Sequence, residues 1–140
     1  MNSNEPLSKE GYELIGAAFE VHNEIGGGLL EEIYQECLEL ELKSRGVPFV
    51  AQELVKTFYK GQPLKKKYVP DLLVRKRIFV ELKSTAKFVP ENEMQLLNYM
   101  RLCQIPIGYL INFGPIKELE WKRYILSEYL NEEERNSPTG

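Results

Sequence analysis

The chain has 140 residues, 43% of them hydrophobic, and a formal net charge of -3, enough for one packed core and short for two. No apolar run approaches the ~18 to 20 residues of a membrane span, and the opening MNSNEPLSKEG lacks the basic-then-apolar layout of a secretion signal; the expectation is a cytoplasmic protein without membrane partners, a single domain over residues 1–130. The acidic balance excludes a uniformly basic nucleic-acid binder, and the two distant cysteines, Cys37 and Cys103, read as free thiols rather than a disulfide.

Taken in chain order, apolar residues recur at helical spacing from Ser8 to about His22, with Ser8 as the expected N-cap. Gly26-Gly27-Gly28 breaks this helix, and a second amphipathic pattern runs from about Leu29 to Ser44, stopping at Gly46. Strand-like segments follow near Phe49 to Tyr59, Lys66 to Val74 and Ile78 to Lys83, separated by turns at Lys60-Gly61-Gln62-Pro63 and Arg75-Lys76-Arg77. A helix from Glu91 to Cys103 and strands at Ile107 to Phe113 and Glu120 to Ile125 complete the order. The acidic stretch from Asn131 to Gly140 reads as a solvated, disordered tail.

Charge is segregated along the chain. Lys65 to Lys87 holds eight basic residues against Asp71 and Glu81, a local +6 that leaves -9 elsewhere. Such a field suits phosphates, and Lys87 falls within it; Lys65 to Lys67 read equally well as gatekeepers on an edge strand.

The stretch Phe79-Val80-Glu81-Leu82-Lys83 places a carboxylate and an ammonium two residues apart, on one face of a strand. A turn centred on Lys76 pairs residues whose numbers sum to 152, which sets Asp71 opposite Glu81. Facing carboxylates on paired strands lie roughly 4.5 to 5.5 Å apart at Cβ and repel, so a cation is expected between them. Two hard oxygen donors with room for water suit Mg²⁺ or Mn²⁺, and Lys83 could orient a water or steady phosphoryl charge. A structural ion pair of Glu81 with Lys83, or with an arginine of the turn, fits the same spacing.

Pro70-Asp71, Glu81-Leu82-Lys83 and a following helix with Gln95 and Tyr99 resemble the PD-(D/E)XK nuclease superfamily, including the Q-x-x-x-Y element of its exonuclease branch. Gly28-Leu29-Leu30-Glu31-Glu32-Ile33-Tyr34 is similar to the signature of the GxxExxY protein family, as are Phe58-Tyr59-Lys60-Gly61, Gln95-Leu96-Leu97-Asn98-Tyr99 and Leu110-Ile111-Asn112-Phe113-Gly114. The resemblance implies an α/β (α+β), restriction-endonuclease-like fold with an αβββαβ core, its central mixed sheet flanked by helices. It also implies a Mg²⁺- or Mn²⁺-dependent nuclease acting on nucleic acid, most simply DNA. Asp71, Glu81 and Glu31 become metal ligands, Lys83 the catalytic lysine, and Gln95 and Tyr99 substrate-binding or site-supporting residues; Tyr34, Lys87 and His22, the last of which an active-site edge near Gly26 to Gly28 would bring close, are candidates for the same supporting role.

Several of these residues carry plainer readings. Glu31 suits any helix start, Tyr34 and Tyr99 have the spacing of core aromatics, Gln95 suits a helix surface, and His22 suits a helix end near the glycines. The rival function is a non-catalytic nucleic-acid-binding or assembly module on the same fold, and a homodimer is compatible with either.

Overall fold

The computed structural model describes residues 5–136. Helix α1 (Ser8–Ile25) buries Leu14, Ile15, Ala17, Ala18, Val21 and His22, one face of a 3.6-residue repeat. Its cap is Leu7 in the left-handed region and not Ser8, which is the first helical residue and is buried. Helix α2 (Glu31–Ser44) buries Tyr34, Gln35, Leu38 and Leu42, and closes with Val47 N–H on the Leu42 carbonyl around Gly46 at φ +70°.

The central sheet has five strands in the order β1 (Phe49–Ala51), β4 (Leu72–Val74), β5 (Ile78–Lys83), β6 (Ile107–Asn112), β7 (Glu120–Ile125). All pairings are antiparallel except β5 with β6; helix α3 (Pro90–Cys103) makes the crossover that parallel pairing requires. Two layers of side chains result. Ile78, Val80 and Leu82 of β5 join Leu72, Val74 and the inward faces of α1 and α2, whereas Phe79 points the other way, onto Leu96 and Met100 of α3. Helices thus flank a mixed sheet, the restriction-endonuclease-like arrangement expected from sequence.

The register of the central hairpin is the expected one: Leu72 pairs Val80, Leu73 pairs Phe79 and Val74 pairs Ile78. Its turn holds Arg75 and Lys76 at φ +52° and +63° without a glycine, a conformation costing about 1 kcal/mol per residue. Two anchors compensate. Arg75 pairs with Glu13 of α1 at 3.1 Å, and Arg77 forks onto both carboxylate oxygens of Glu134 at 2.8 Å while donating to the Tyr129 carbonyl at 2.7 Å.

Three local expectations need correction. Phe49 to Tyr59 is not one strand: Gln52 turns left-handed at φ +53° after β1, and Phe58–Tyr59 (β2) instead pairs with Gln62–Pro63 (β3) in a separate two-stranded ribbon. The strand expected from Lys66 begins only at Leu72, because Pro70 interrupts it, so Lys65 to Lys67 lie outside any edge strand. The acidic stretch after Asn131 forms helix α4 (Glu132–Asn136), fastened by the Arg77–Glu134 fork; residues 137–140 lie outside the described residues. Cys37 and Cys103 are free and half-buried, and burial pushes the Cys103 thiol up to about 11. Among the described residues, no helix is long and apolar enough to cross a membrane.

Beyond the ends of β5 and β6, the buried Asn112 amide joins two loops. Its oxygen accepts from the N–H groups of Thr85 and Gly114, both at 3.0 Å, and its nitrogen donates to the Thr85 carbonyl and to Glu120. Gly114 lies so close that an added Cβ would stand 1.9 Å from the Thr85 carbonyl oxygen and 2.5 Å from its nitrogen. Backbone cannot yield there, so Gly114→Ala is expected to cost about 3 kcal/mol, measured as a lowered urea midpoint at unchanged slope.

A candidate active site at the carboxyl end of the central strands

Strand alternation places Glu81 and Lys83 on the Phe79 face of β5, the α3 side; the paired register ends at Leu72 and Val80, and Asp71, the next residue out, has its carboxyl beside that of Glu81. Asp71 stands one residue before β4, where Gln35 of α2 and the backbone of Gln52 both donate to its carbonyl, at 3.0 and 3.2 Å. Its carboxylate accepts from the N–H of Leu82 at 2.7 Å. Glu31, the first residue of α2, faces it across a cleft of about 360 Å³ lined also by Leu30, Glu32, Gln35 and Gln52.

Electrostatics make this a strained cluster. Burial is the main cause that pushes the Glu81 carboxyl up to about 8, and the neighbouring Asp71 charge adds to it; Tyr68 and Lys83 act in the opposite direction. Asp71 is raised by burial, against the opposing pull of Leu82 N–H, Glu81 and Lys83. Glu31 is raised by burial and by Asp71, with Lys83 opposing. One ammonium therefore faces three carboxyls, each pushed towards its neutral form. The donors are all hard oxygens, the set that suits a divalent cation keeping several waters. Among the described residues no group of three His, Cys, Asp or Glu side chains is drawn together tightly enough to hold a metal ion. Asp71 and Glu81 are the assembled pair, with Glu31 across the cleft.

Among the described residues Glu81 enters no ion pair. Its bonded partner is the Tyr68 hydroxyl, while the turn arginines are committed elsewhere, Arg75 to Glu13 and Arg77 to Glu134. Tyr68 escaped the sequence reading because it stands three residues before Asp71, which strand alternation assigns to the opposite face; the chain leaves strand geometry over Val69–Asp71, and the ring swings round. That ring stacks on Tyr99 of α3, centroids 4.0 Å apart, and meets Phe79 edge-on at 5.1 Å. Tyr99 thus touches the residue that bonds Glu81. Gln95, on the same helix, is exposed, and Lys87 is exposed in the loop after β5.

Tyr34 and His22 serve the glycine loop. Tyr34 is buried, stacks on Phe113 at 4.5 Å, donates to the Gly26 carbonyl at 2.6 Å and accepts from Leu29 N–H at 3.0 Å. His22 donates from Nε2 to the Pro115 carbonyl at 2.7 Å, and Gly27 must lack a Cβ, since one would stand 2.2 Å from that same oxygen. The Ser84 hydroxyl donates to the Leu29 carbonyl, tying the loop to the end of β5. Together these contacts fix where α2 starts, and so where Glu31 sits.

Removing the Tyr68 hydroxyl tests the support. Tyr68→Phe keeps the stacked ring but withdraws the donor that favours ionised Glu81, so Glu81 holds its proton more tightly. Mn²⁺ affinity at pH 7 is expected to fall about ten- to a hundredfold by calorimetry, with the melting temperature nearly unchanged.

Known structures extend the picture. The fold matches the crystal structure of SSO0001 with a TM-score of 0.52 and 26% identity, over 69% of this chain and 51% of that one. An alkaline exonuclease from Laribacter hongkongensis matches with a TM-score of 0.48 and 13% identity, over 69% of this chain and 56% of that one. The shared region thus spans little more than half of either. No curated protein matches. The PD-(D/E)XK nuclease superfamily profile covers residues 8–124, a span that takes in Glu31, Asp71, Glu81, Lys83 and the helix bearing Tyr99, and the chain belongs to that superfamily.

Proposed function

We propose that the protein is a metal-dependent nuclease that hydrolyses phosphodiester bonds of nucleic acid, DNA foremost, with Asp71 and Glu81 holding Mg²⁺ or Mn²⁺. The observation that carries this reading is the placement of two half-buried carboxyls side by side, bonded to the Leu82 N–H and the Tyr68 hydroxyl and facing Lys83. Such a pair weakens the metal-free fold and is explained by a cation that relieves it. A divalent ion bound there would polarise a phosphoryl oxygen and lower the pKa of its own water.

The chain's residues supply the rest. Asp71 is aimed by Leu82 N–H, and Glu81 by Tyr68. Lys83, on the same face, would steady negative charge developing on the phosphoryl oxygens, while Glu31 at the cleft mouth would bind an outer water of the metal or a second ion. We assign the chain to the GxxExxY group within the superfamily on Gly28, Glu31 and Tyr34; the bonds of the Tyr34 hydroxyl set the loop that delivers Glu31. Residues 1–130 form the nuclease-like unit in this reading, acting in the cytoplasm.

Calorimetric titration of Mn²⁺ and Mg²⁺ into wild type and Glu81→Ala, followed by cleavage of single- and double-stranded DNA and RNA with the same samples, tests the proposal. Metal binding lost in the variant, with cleavage by wild type, is expected. Binding of equal strength in both would leave the carboxylates without a metal role and favour a non-catalytic nucleic-acid module.

A further inference from the structure

The segment Val55 to Tyr68 contains five lysines (Lys56, Lys60, Lys65, Lys66, Lys67) and no acidic residue. It folds as an arm. Val55 and Tyr68 exchange both backbone bonds at its base, at 2.7 and 2.9 Å, Leu64 N–H donates to the Thr57 carbonyl at 2.8 Å, and Tyr59 pairs with Gln62 at the tip around Lys60 and Gly61 at φ +48° and +77°. Those two left-handed residues make the tight hairpin turn that twists with its strands. Residues 59–67 are exposed, and none of the five lysines enters an ion pair among the described residues. Like charges on a narrow ribbon repel.

The tip also presents an aromatic ring. Tyr59 is 62% exposed, with the Lys60 ammonium 5.4 Å from the ring centroid. A ring face beside lysines is the surface on which an unpaired base stacks while its phosphates are neutralised. A duplex offers a ribbon its groove edges and keeps base faces stacked inside. The base of the arm meanwhile ends at the carboxylates, since the Tyr68 hydroxyl bonds Glu81 and its ring stacks on Tyr99. From the Tyr59–Gln62 pair to Tyr68 is at most about 20 Å at strand rise.

Building on the nuclease reading of the carboxylate pair, we propose that the Val55–Tyr68 ribbon is a nucleic-acid-binding arm that grips a single-stranded segment and leads it to that site. Tyr59 stacks on an unpaired base, and Lys65 to Lys67 contact the adjoining phosphates.

Fluorescence anisotropy of a labelled single-stranded oligonucleotide, in EDTA so that nothing is cut, tests the arm apart from the chemistry. Lys65→Glu, Lys66→Glu and Lys67→Glu combined should weaken binding at least tenfold and flatten the log affinity against log salt slope by about 2, near 0.7 for each phosphate that is no longer neutralised. Tyr59→Ala should lose about tenfold on the oligonucleotide and nothing on an abasic strand of equal length. Circular dichroism verifies folding, and the lysine-to-glutamine triple variant, with half the charge change, should weaken binding less.

Wild-type affinity in the triple variants overturns the arm. A preference of wild type for duplex, with Tyr59→Ala losing equally on duplex and abasic strand, overturns the single-strand assignment. Binding as expected with no cleavage when Mn²⁺ is added would sink the nuclease reading and leave the arm standing.

Discussion

Asp71→Ala is expected to abolish metal binding and to lower cleavage by about a thousandfold or more, while the protein still folds. The loss of activity follows from the position of Asp71 as one of only two carboxylates that the hairpin register brings side by side; a site with one remaining carboxylate has little to offer an ion that keeps most of its water. Folding survives because two effects oppose. The variant orphans the Leu82 N–H, whose bond to Asp71 is 2.7 Å, at roughly 1 to 3 kcal/mol. It also removes the charge that adds to the upward shift of Glu81, which returns part of that cost.

Thermal unfolding with and without Mn²⁺ separates the roles. Metal that binds only the native state raises the wild-type midpoint by mass action, and should leave the variant's midpoint where it was. Asp71→Asn, which keeps an acceptor for Leu82 N–H, should restore the stability and not the metal response. Unaltered Mn²⁺ affinity in either variant would show that the site lies elsewhere.

How much of this could be read before the structure differs by element, for physical reasons. The Asp71–Glu81 pairing was legible because period-two alternation and one turn position define a hairpin register completely, and here the turn centred on Lys76 held even without a glycine. The partner of Glu81 was not. Tyr68 reaches it only because the chain leaves strand geometry over Val69–Asp71 and reverses the face on which side chains three apart would lie; Pro70 marks the break, but the direction the ring then takes depends on Phe79 and Tyr99 packed against it. The ribbon was hidden similarly: Lys60-Gly61 reads as a turn, but that Phe58 and Tyr59 would leave the central sheet depends on Gln52 turning left-handed after β1, which glutamine seldom does. The acidic stretch looked like a solvated tail because its composition carries no core residues; what orders Glu132–Asn136 is one long-range fork from Arg77, fifty-seven residues earlier. Tyr34 and His22 were legible as aromatic and helix-end residues, while their common task, fixing the glycine loop, needed Phe113 and Pro115 brought beside them.

The metal-free protein is expected to lose stability as pH rises from about 4.5 to 8. Glu81 titrates near 4.5 when unfolded and is held up to about 8 in the fold, chiefly by burial. The native state therefore binds more protons than the unfolded chain across that interval, and unfolding free energy falls with pH there. The contribution is full below 4.5, declines through the window and is gone above 8; at about 1.4 kcal/mol for each pH unit that separates the folded from the unfolded titration, it amounts to a few kcal/mol. Asp71 and Glu31, also raised, add in the same sense at the acid end, whereas Glu134, lowered by Arg77, contributes stability that is lost as pH falls below its unfolded value. Urea unfolding in EDTA at pH 5, 6.5 and 8.5 measures the slope, and Glu81→Gln isolates its source, because an amide keeps the neutral form at every pH and should flatten the curve between 5 and 8. Saturating Mn²⁺ should reverse the trend, since the ion binds the ionised carboxylates and is favoured as protons leave. A metal-free stability that climbs over this interval, or a Glu81→Gln curve parallel to that of wild type, would mean that Glu81 is already ionised in the fold and that no strained carboxyl pair awaits a cation.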